Sequence, residues 1–314
     1  MITKGVKELW ARLRTTAHGQ GINARVPASA RPYVTGNHGV ADKGGPPGAY
    51  SLLKNRVLDP ELLAYLWMAV ESGANIVISG AQSSGNIALL SALSMFMPRS
   101  SSVITIVEDL DEVSTEAQLF NTMALYGPRY PGTSPRAQIA SAIGMHPDRI
   151  VCDRLHGEEA RELFSGANSG TSFLTTMYAG DNEPGIVSKL LTRPMSVEYS
   201  AIGMLDLSIH LSRTGRHRPI SSVLEYLWLS RAETDAGMEI GGSEIVRELP
   251  MVESSRLVPG FLDASKIISS FSYVKCLSQK DTKAEFFNRA HAIMSAYGSS
   301  RGEAEFLVSL ERPL

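Results

Sequence analysis

The chain predicts an α/β fold built on a mainly parallel sheet, and three observations carry that prediction. Short apolar runs at 75–79, 103–108, 149–153 and 172–177 have the length and composition of buried strands. Between and after them, stretches at 85–97, 136–144, 157–167 and 183–192 have helical periodicity. The first strand and its helix are joined by a loop of small residues, Gly80 to Gly85. Strands that alternate with helices pair in parallel, carry helices on both faces and place ligands at the strands' carboxyl ends, where this loop lies.

The elements follow in order. Residues 1–20 read as a helix with Val6, Leu9, Trp10 and Leu13 on one face. Residues 21–50 are rich in Gly, Pro and Ala, with extended pieces at 24–26 and 32–35 and an exposed loop at 36–48. This front part has too few large apolar residues for a core of its own. Residues 1–57 are therefore expected to be a shortened N-terminal domain and linker, and 58–314 the core with its tail. Asp59-Pro60-Glu61 starts a helix, the aspartate capping and the proline at the first helical position. That helix should reach Gly73 and bury Leu62, Leu63, Leu66 and Val70. After the alternating region, 206–230 reads as an antiparallel hairpin that caps the sheet, 240–249 as a further strand, and 263–270, 281–297 and 302–310 as tail helices.

Composition narrows the classes. The chain has 314 residues, 43% hydrophobic and 20% charged, with a formal net charge of -2. That balance excludes a strongly basic nucleic-acid surface. No apolar run reaches the roughly 18 residues that cross a bilayer, and the opening MITKGVKELWARLR lacks the apolar stretch of a signal peptide. The expectation is a cytoplasmic protein with no direct membrane insertion, held to the inner face of a membrane only through partners. Two cysteines, Cys152 and Cys276, fit a reducing compartment, and Cys152, inside an apolar strand, reads as packing. Trp67, Tyr65 and Tyr226 read as core. His146 and His156 lack ligand spacing, so no metal site is read.

The segment NIVISGAQSSGNIALLSALSMFM (75–97) is the centre of the functional reading. Strand, small-residue loop and helix form the frame of a phosphate-binding loop, in which backbone N–H groups and the positive helix end surround a polyphosphate. Ile87, Leu90, Leu93, Ser94 and Met97 mark the helix's inner face. The candidate binding residues are Gly80, Ala81, Gln82, Ser83, Ser84, Gly85, Asn86 and Ile87. Lysine and then Ser or Thr should follow the second glycine, and Asn86 and Ile87 stand there instead. The lysine is the cation on the outer phosphates and the hydroxyl a magnesium ligand. A charge-assisted hydrogen bond is worth about 1.5–3 kcal/mol, so the exchange removes both binding energy and the metal anchor.

Further pieces, VEDLDEV (107–113), HPDRIV (146–151), GEEA (157–160), GANSGTSFLTTMYA (166–179) and the hairpin, complete a pattern that resembles the type II/type IV secretion ATPases over about residues 22–312. The similarity is greatest to the archaeal pilus and archaellum branch. The resemblance implies a RecA-like ATPase core working in a hexameric ring, bound to ATP or ADP with Mg2+, and to a membrane-platform component of a pilus or secretion machine. It also implies four acting motifs. The acidic box is kept as Glu108, Asp109 and Glu112, with Glu108 the one remaining catalytic candidate. The strand expected to end in Gly-Glu reads Asp153-Arg154, and His156 stands for an arginine. The two family histidines fall on Thr171 and Tyr178, and an expected arginine on Gly144.

The residues leave several readings open. The loop 80–85 either only turns the chain or keeps a weak, metal-independent nucleotide site. Arg154 either supplies the missing cation or pairs with Glu108 or Asp109. The acidic box is a functional remnant or a solvated strand end, and Arg213, Arg216, His217 and Arg218 form a subunit contact or a solvated turn. The function expected is that of a catalytically inactive homologue, a scaffold or regulatory subunit in a ring with itself or an active paralogue. The alternative is an active ATPase that powers pilus or archaellum assembly or protein secretion.

Overall fold

A computed structural model describes residues 48–82, 84–107, 122–126, 134–180, 185–212, 220–230, 238–240, 244–253 and 256–311. Its sheet has nine strands in the order β3-β2-β4-β5-β1-β6-β7-β9-β8. These are β1 (Ile76–Gly80), β2 (Val103–Val107), β3 (Thr122–Tyr126), β4 (Arg149–Leu155), β5 (Ser172–Tyr178), β6 (Leu207–Leu211), β7 (Ile220–Ser230), β8 (Met238–Ile240) and β9 (Glu244–Pro250). The six strands from β3 to β6 run parallel, and β7, β9 and β8 continue the sheet antiparallel. This is the α/β architecture with a mainly parallel sheet that the sequence predicts, with β1 flanked by β5 and β6 at its centre. All five residues of β1 are buried, as a strand covered on both faces requires.

The expected hairpin does not cap the sheet. β6 is itself a parallel neighbour of β1, with Gly80 opposite Leu211, so the hairpin turns the central sheet from parallel to antiparallel. Several elements escaped the sequence reading, among them β3, the helix Ala49–Lys54 and the one-turn helix Tyr199–Ile202. A small second sheet pairs β10 (Val252–Glu253) with β11 (Arg256–Leu257).

Helices cover both faces. α1 (Ala49–Lys54), α2 (Pro60–Glu71), α3 (Asn86–Ser94) and the tail helices α9 (Lys266–Val274), α10 (Gln279–Ser299) and α11 (Glu303–Glu311) share one core with Ile76, Ile78, Val151 and Leu174. α4 (Pro135–Gly144), α5 (Glu159–Asn168), α6 (Ile186–Leu191) and α7, the helix Tyr199–Ile202, share the other with Val77, Ile106, Cys152 and Phe173. Alternation along each strand thus sends successive side chains into opposite cores.

α2 starts as predicted: the Asp59 side chain accepts from Leu62 N at 2.7 Å, and Pro60 occupies the first turn. Its burial is nearly complete, from Leu62 to Glu71, because α9 and α10 pack on it from outside. Trp67, Tyr65 and Tyr226 are each no more than 1% exposed, which bears out their place in the core. The predicted tail helix 263–270 is two pieces, α8 (Phe261–Ala264) and α9, joined at Ser265. The Ser265 hydroxyl caps α9 by accepting from Ile268 N at 3.0 Å and donates to Glu225 on β7. The Glu225 carboxylate is fully buried and takes further bonds from Tyr65 Oη and from Lys266 N, which fastens the tail to the sheet.

Candidate functional site

Parallel pairing brings the carboxyl ends of β1, β2, β4 and β5 to one edge of the sheet. The loop after β1 lies there. Ala179 N donates to Gly80 O at 3.0 Å, so the exit of β5 is laced to the loop's first residue. Gly85 has φ +98°, a left-handed turn that lets α3 start at Asn86 and that glycine takes without strain.

The interior of the loop is taken by its own side chains. Asn86, where the lysine is expected, folds back: its Nδ2 donates to Gly80 O at 3.3 Å and its Oδ1 accepts from Ser84 Oγ at 2.5 Å. A Cβ placed on Gly80 would come within 2.7 Å of Asn86 Oδ1 and 2.5 Å of Ser84 Oγ and of Leu211 O. The cradle is therefore closed by contacts between Gly80, Ser84 and Asn86, with Gln82 exposed outside it. Ile87, at the hydroxyl's position, offers no oxygen to a cation. As they stand, these residues do not fit a magnesium-bound triphosphate. Ser83 lies outside the described residues, as do Glu108, Asp109, Glu112, Arg213, Arg216, His217 and Arg218.

At the end of β4, Asp153 is 2% exposed and Arg154 is exposed. The β4–β5 register shifts between Cys152 and Leu155, and Arg154 sits in that bulge with φ +56°. Its N–H donates to Thr176 Oγ1 at 2.8 Å. A bulge beside a site redirects a side chain, and here it carries Arg154 out to solvent at the ligand edge. His156 is turned locally, its Nδ1 donating to the Arg154 carbonyl at 3.0 Å. Glu159 accepts from the N–H groups of His156 at 2.7 Å and Gly157 at 2.6 Å, and so closes the turn into α5.

The two positions matched to the family's histidines are at opposite ends of β5. Tyr178 pairs with Gly80 and is 56% exposed. By alternation with Leu174, its side chain is on the face that α3 covers. Thr171 precedes β5 at the other end, buried, its hydroxyl bonded to Pro147 O at 3.2 Å. With seven residues in β5, at about 3.3 Å each, Thr171 is about 20 Å from the loop. The structure brings Tyr178 to the site and leaves Thr171 out.

Sequence reasoning missed Lys189 on α6. Its Nζ donates to Tyr178 O at 2.6 Å and lies 5.3 Å from the Tyr178 ring centre, a cation beside the exit of β5. A basic residue in the last turn of a helix that follows a ligand-edge strand was the available signal. His210 on β6 was missed as well, and its Nδ1 is 2.9 Å from Ser79 Oγ beneath the loop. Among the described residues, no group of three or more His, Cys, Asp or Glu is arranged to hold a metal ion. No helix there is long and apolar enough to cross a membrane.

Comparison with known proteins finds similarity over part of the chain. No family model matches the chain. An uncharacterised protein of Methanocaldococcus jannaschii is 26% identical over 185 residues, 56% of this chain and 68% of the relative. The type IV secretion system protein PtlH of Bordetella pertussis is 31% identical over 139 residues, 42% of this chain and 41% of PtlH. Among solved structures, the VirB11 ATPase of the Brucella suis type IV secretion system, in complex with sulphate, is 25% identical with a TM-score of 0.45, covering 56% of this chain and 54% of that one. The matches thus span less than half of PtlH and about half of that VirB11 chain. Over the matched stretches, the chain is related in sequence to type IV secretion system proteins of the PtlH and VirB11 kind.

Proposed function

We propose that this chain is a secretion- or pilus-motor ATPase homologue that has lost phosphoryl transfer and acts as a scaffold or regulatory subunit, in a ring with itself or with an active paralogue. The observation that carries this reading is the closed loop, with Asn86 bonded to Ser84 and Gly80 where a lysine's charge is needed. Phosphoryl transfer depends on positioning and on stabilising negative charge spread over the phosphate oxygens. It needs a cation on the phosphates, a metal with its ligands, and a carboxylate to orient water. Asn86, Ile87 and Arg154 supply none of these at the three expected positions. Glu108 is the carboxylate left to serve, and Asp109 and Glu112 complete its box.

A scaffold role accounts for what has been retained. The sheet, the loop frame and the packing of α2 and α3 hold the core together and do not require turnover. Residues 1–57 serve in this reading as an N-terminal domain and linker, and the membrane platform of a pilus or secretion machine is the partner beyond the ring. The archaeal branch is the source favoured by the resemblance around the loop.

Calorimetry with ATP and a non-hydrolysable analogue, with and without Mg2+, combined with a phosphate-release assay, tests the reading. The expected result is no Mg2+-dependent turnover and weak or absent binding that Mg2+ does not strengthen. Mg2+-dependent hydrolysis that disappears in Glu108→Gln would establish the active ATPase instead.

A further inference from the structure

The described chain begins in a turn that the far end of the molecule holds. Glu303, the first residue of α11, accepts from Tyr50 N at 3.1 Å and from Ser51 N at 3.3 Å, two donors of α1's first turn. Tyr50 Oη donates to Ser300 O at 3.2 Å, and the Tyr50 ring lies 5.5 Å from that of Tyr297 and 6.0 Å from that of Phe306. All of these partners belong to α10, α11 and the turn between them. On its other side α1 packs against α3, the helix that leaves the loop at 80–85. The entry turn is thus wedged between the C-terminal helices and the loop helix.

Gly48 shows how tight the contact is. A Cβ built there would have three atoms of the Glu303 carboxylate as its nearest neighbours, at 2.4–2.8 Å. The backbone at Gly48 is extended, φ -85° and ψ -169°, which any residue adopts. The absent side chain therefore serves to leave room for the carboxylate.

We propose that Glu303 is a latch through which the C-terminal tail fixes the entry turn 48–54 against the loop helix. The latch is a pair of hydrogen bonds: Oε1 and Oε2 of one carboxyl group accept from two backbone N–H groups at a helix start, donors that the helix itself leaves unused. A six-residue helix has little stability of its own, so release of the carboxylate frees the turn. The device is independent of whether the loop at 80–85 binds or hydrolyses nucleotide. Glu303 is a positioning residue, and what it positions is the turn 48–54 on the α/β unit.

Hydrogen exchange and limited tryptic digestion of the full-length chain test this with three variants. Glu303→Ala removes both acceptors, Gly48→Ala displaces them with one methyl group, and Glu303→Gln keeps one of the two acceptor oxygens and replaces the other with a donor. The expected result is at least tenfold faster exchange at 48–54 and faster cleavage after Lys54 in the first two, with β1, β4 and β5 unchanged, and Glu303→Gln between Glu303→Ala and the parent. The proposal is overturned if 48–54 is unprotected in the parent or gains less than tenfold in Glu303→Ala. It is equally overturned if Glu303→Gln opens as far as Glu303→Ala, or if protection falls throughout the sheet.

Discussion

Asn86 Nδ2 reaches back over its own loop to the carbonyl of Gly80, 3.3 Å away, and the two residues mark the ends of the turn between β1 and α3. A lysine at position 86 would extend an ammonium group away from the helix start toward a bound anion. The asparagine directs its polarity inward and satisfies the loop's own groups, Gly80 O and Ser84 Oγ. The loop keeps its turn and loses its cation, and the first prediction follows from that.

Asn86→Lys combined with Ile87→Thr should reopen the cradle. The gain is one charge-assisted hydrogen bond, about 1.5–3 kcal/mol, set against intraloop bonds of about 1 kcal/mol. Nucleotide affinity measured by calorimetry should therefore rise by roughly tenfold and become Mg2+-dependent. Phosphate release should stay at background, because Arg154 still stands in the carboxylate's place. Full turnover in the double variant would remove Arg154 from that assignment.

Arg154 itself occupies a left-handed conformation, φ +56°, in the β4 bulge. A non-glycine residue there carries strain of about 1 kcal/mol, which its N–H bond to Thr176 helps to hold. Arg154→Gly keeps that bond and is expected to leave stability unchanged or raise it by up to about 1 kcal/mol. Arg154→Val, β-branched, should lower it by more than that. Denaturant midpoints of the pair decide it: the reverse order would show that contacts of the arginine side chain outweigh the backbone strain.

The elements that sequence made legible are those whose signals are local. Asp59 and Pro60 announce α2, the glycines announce the loop, and apolar runs give β1, β2, β4 and β5 within one or two residues of the observed ends. β3 was missed because TMALY is as short as a buried helix segment and lacks alternation. The hairpin's role was misread because strand order is set by distant pairing, here Leu211 against Gly80, which leaves no mark in local pattern. At the site, the exchanged residues Asn86, Ile87 and Arg154 could be read directly. The inward fold of Asn86, the 20 Å separation of Thr171 from the loop, about one strand length, and the approach of Lys189 to Tyr178 depend on three-dimensional placement. So do the buried charges of the helical layer, since Glu71, Glu285 and Arg289 look in sequence like an ordinary solvated face.

Arg289 on α10 is 1% exposed and donates to Glu71 of α2 at 2.7 Å and to Glu285 at 2.8 Å. Its guanidinium lies 4.6 Å from the Trp67 ring centre and 4.9 Å from that of Phe271, and Glu71 has a second cation in Lys275. Breaking a buried pair on one side leaves an uncompensated charge, at a cost of about 3–5 kcal/mol. Arg289→Met should therefore destabilise by about 3 kcal/mol, toward the low end because Lys275 remains. Glu71→Leu added to Arg289→Met should recover most of that loss. Chemical unfolding of the two singles and the double measures the coupling, and additive effects would mean that the ion pair contributes less than the aromatic stacking.

Glu303 gives stability a pH dependence whose sign can be worked out. Burial raises its carboxyl above the ordinary value near 4.5, and the bonds from Tyr50 and Ser51 N–H groups only partly offset this. Between the unfolded value and the raised folded one, the native chain binds more protons than the unfolded chain, so this group's contribution to stability falls as pH rises through that window. The contribution is full below pH 4.5 and is lost above the folded value. Glu303→Gln cannot ionise, so the variant, whatever it loses by keeping only one of the two acceptor oxygens, should gain on the parent as pH rises from about 4 to 7. Thermal unfolding of both proteins across that range provides the comparison. A difference in melting temperature that stays constant with pH would show that the carboxylate is not desolvated, and one that shifts in the parent's favour would show that the N–H bonds outweigh burial.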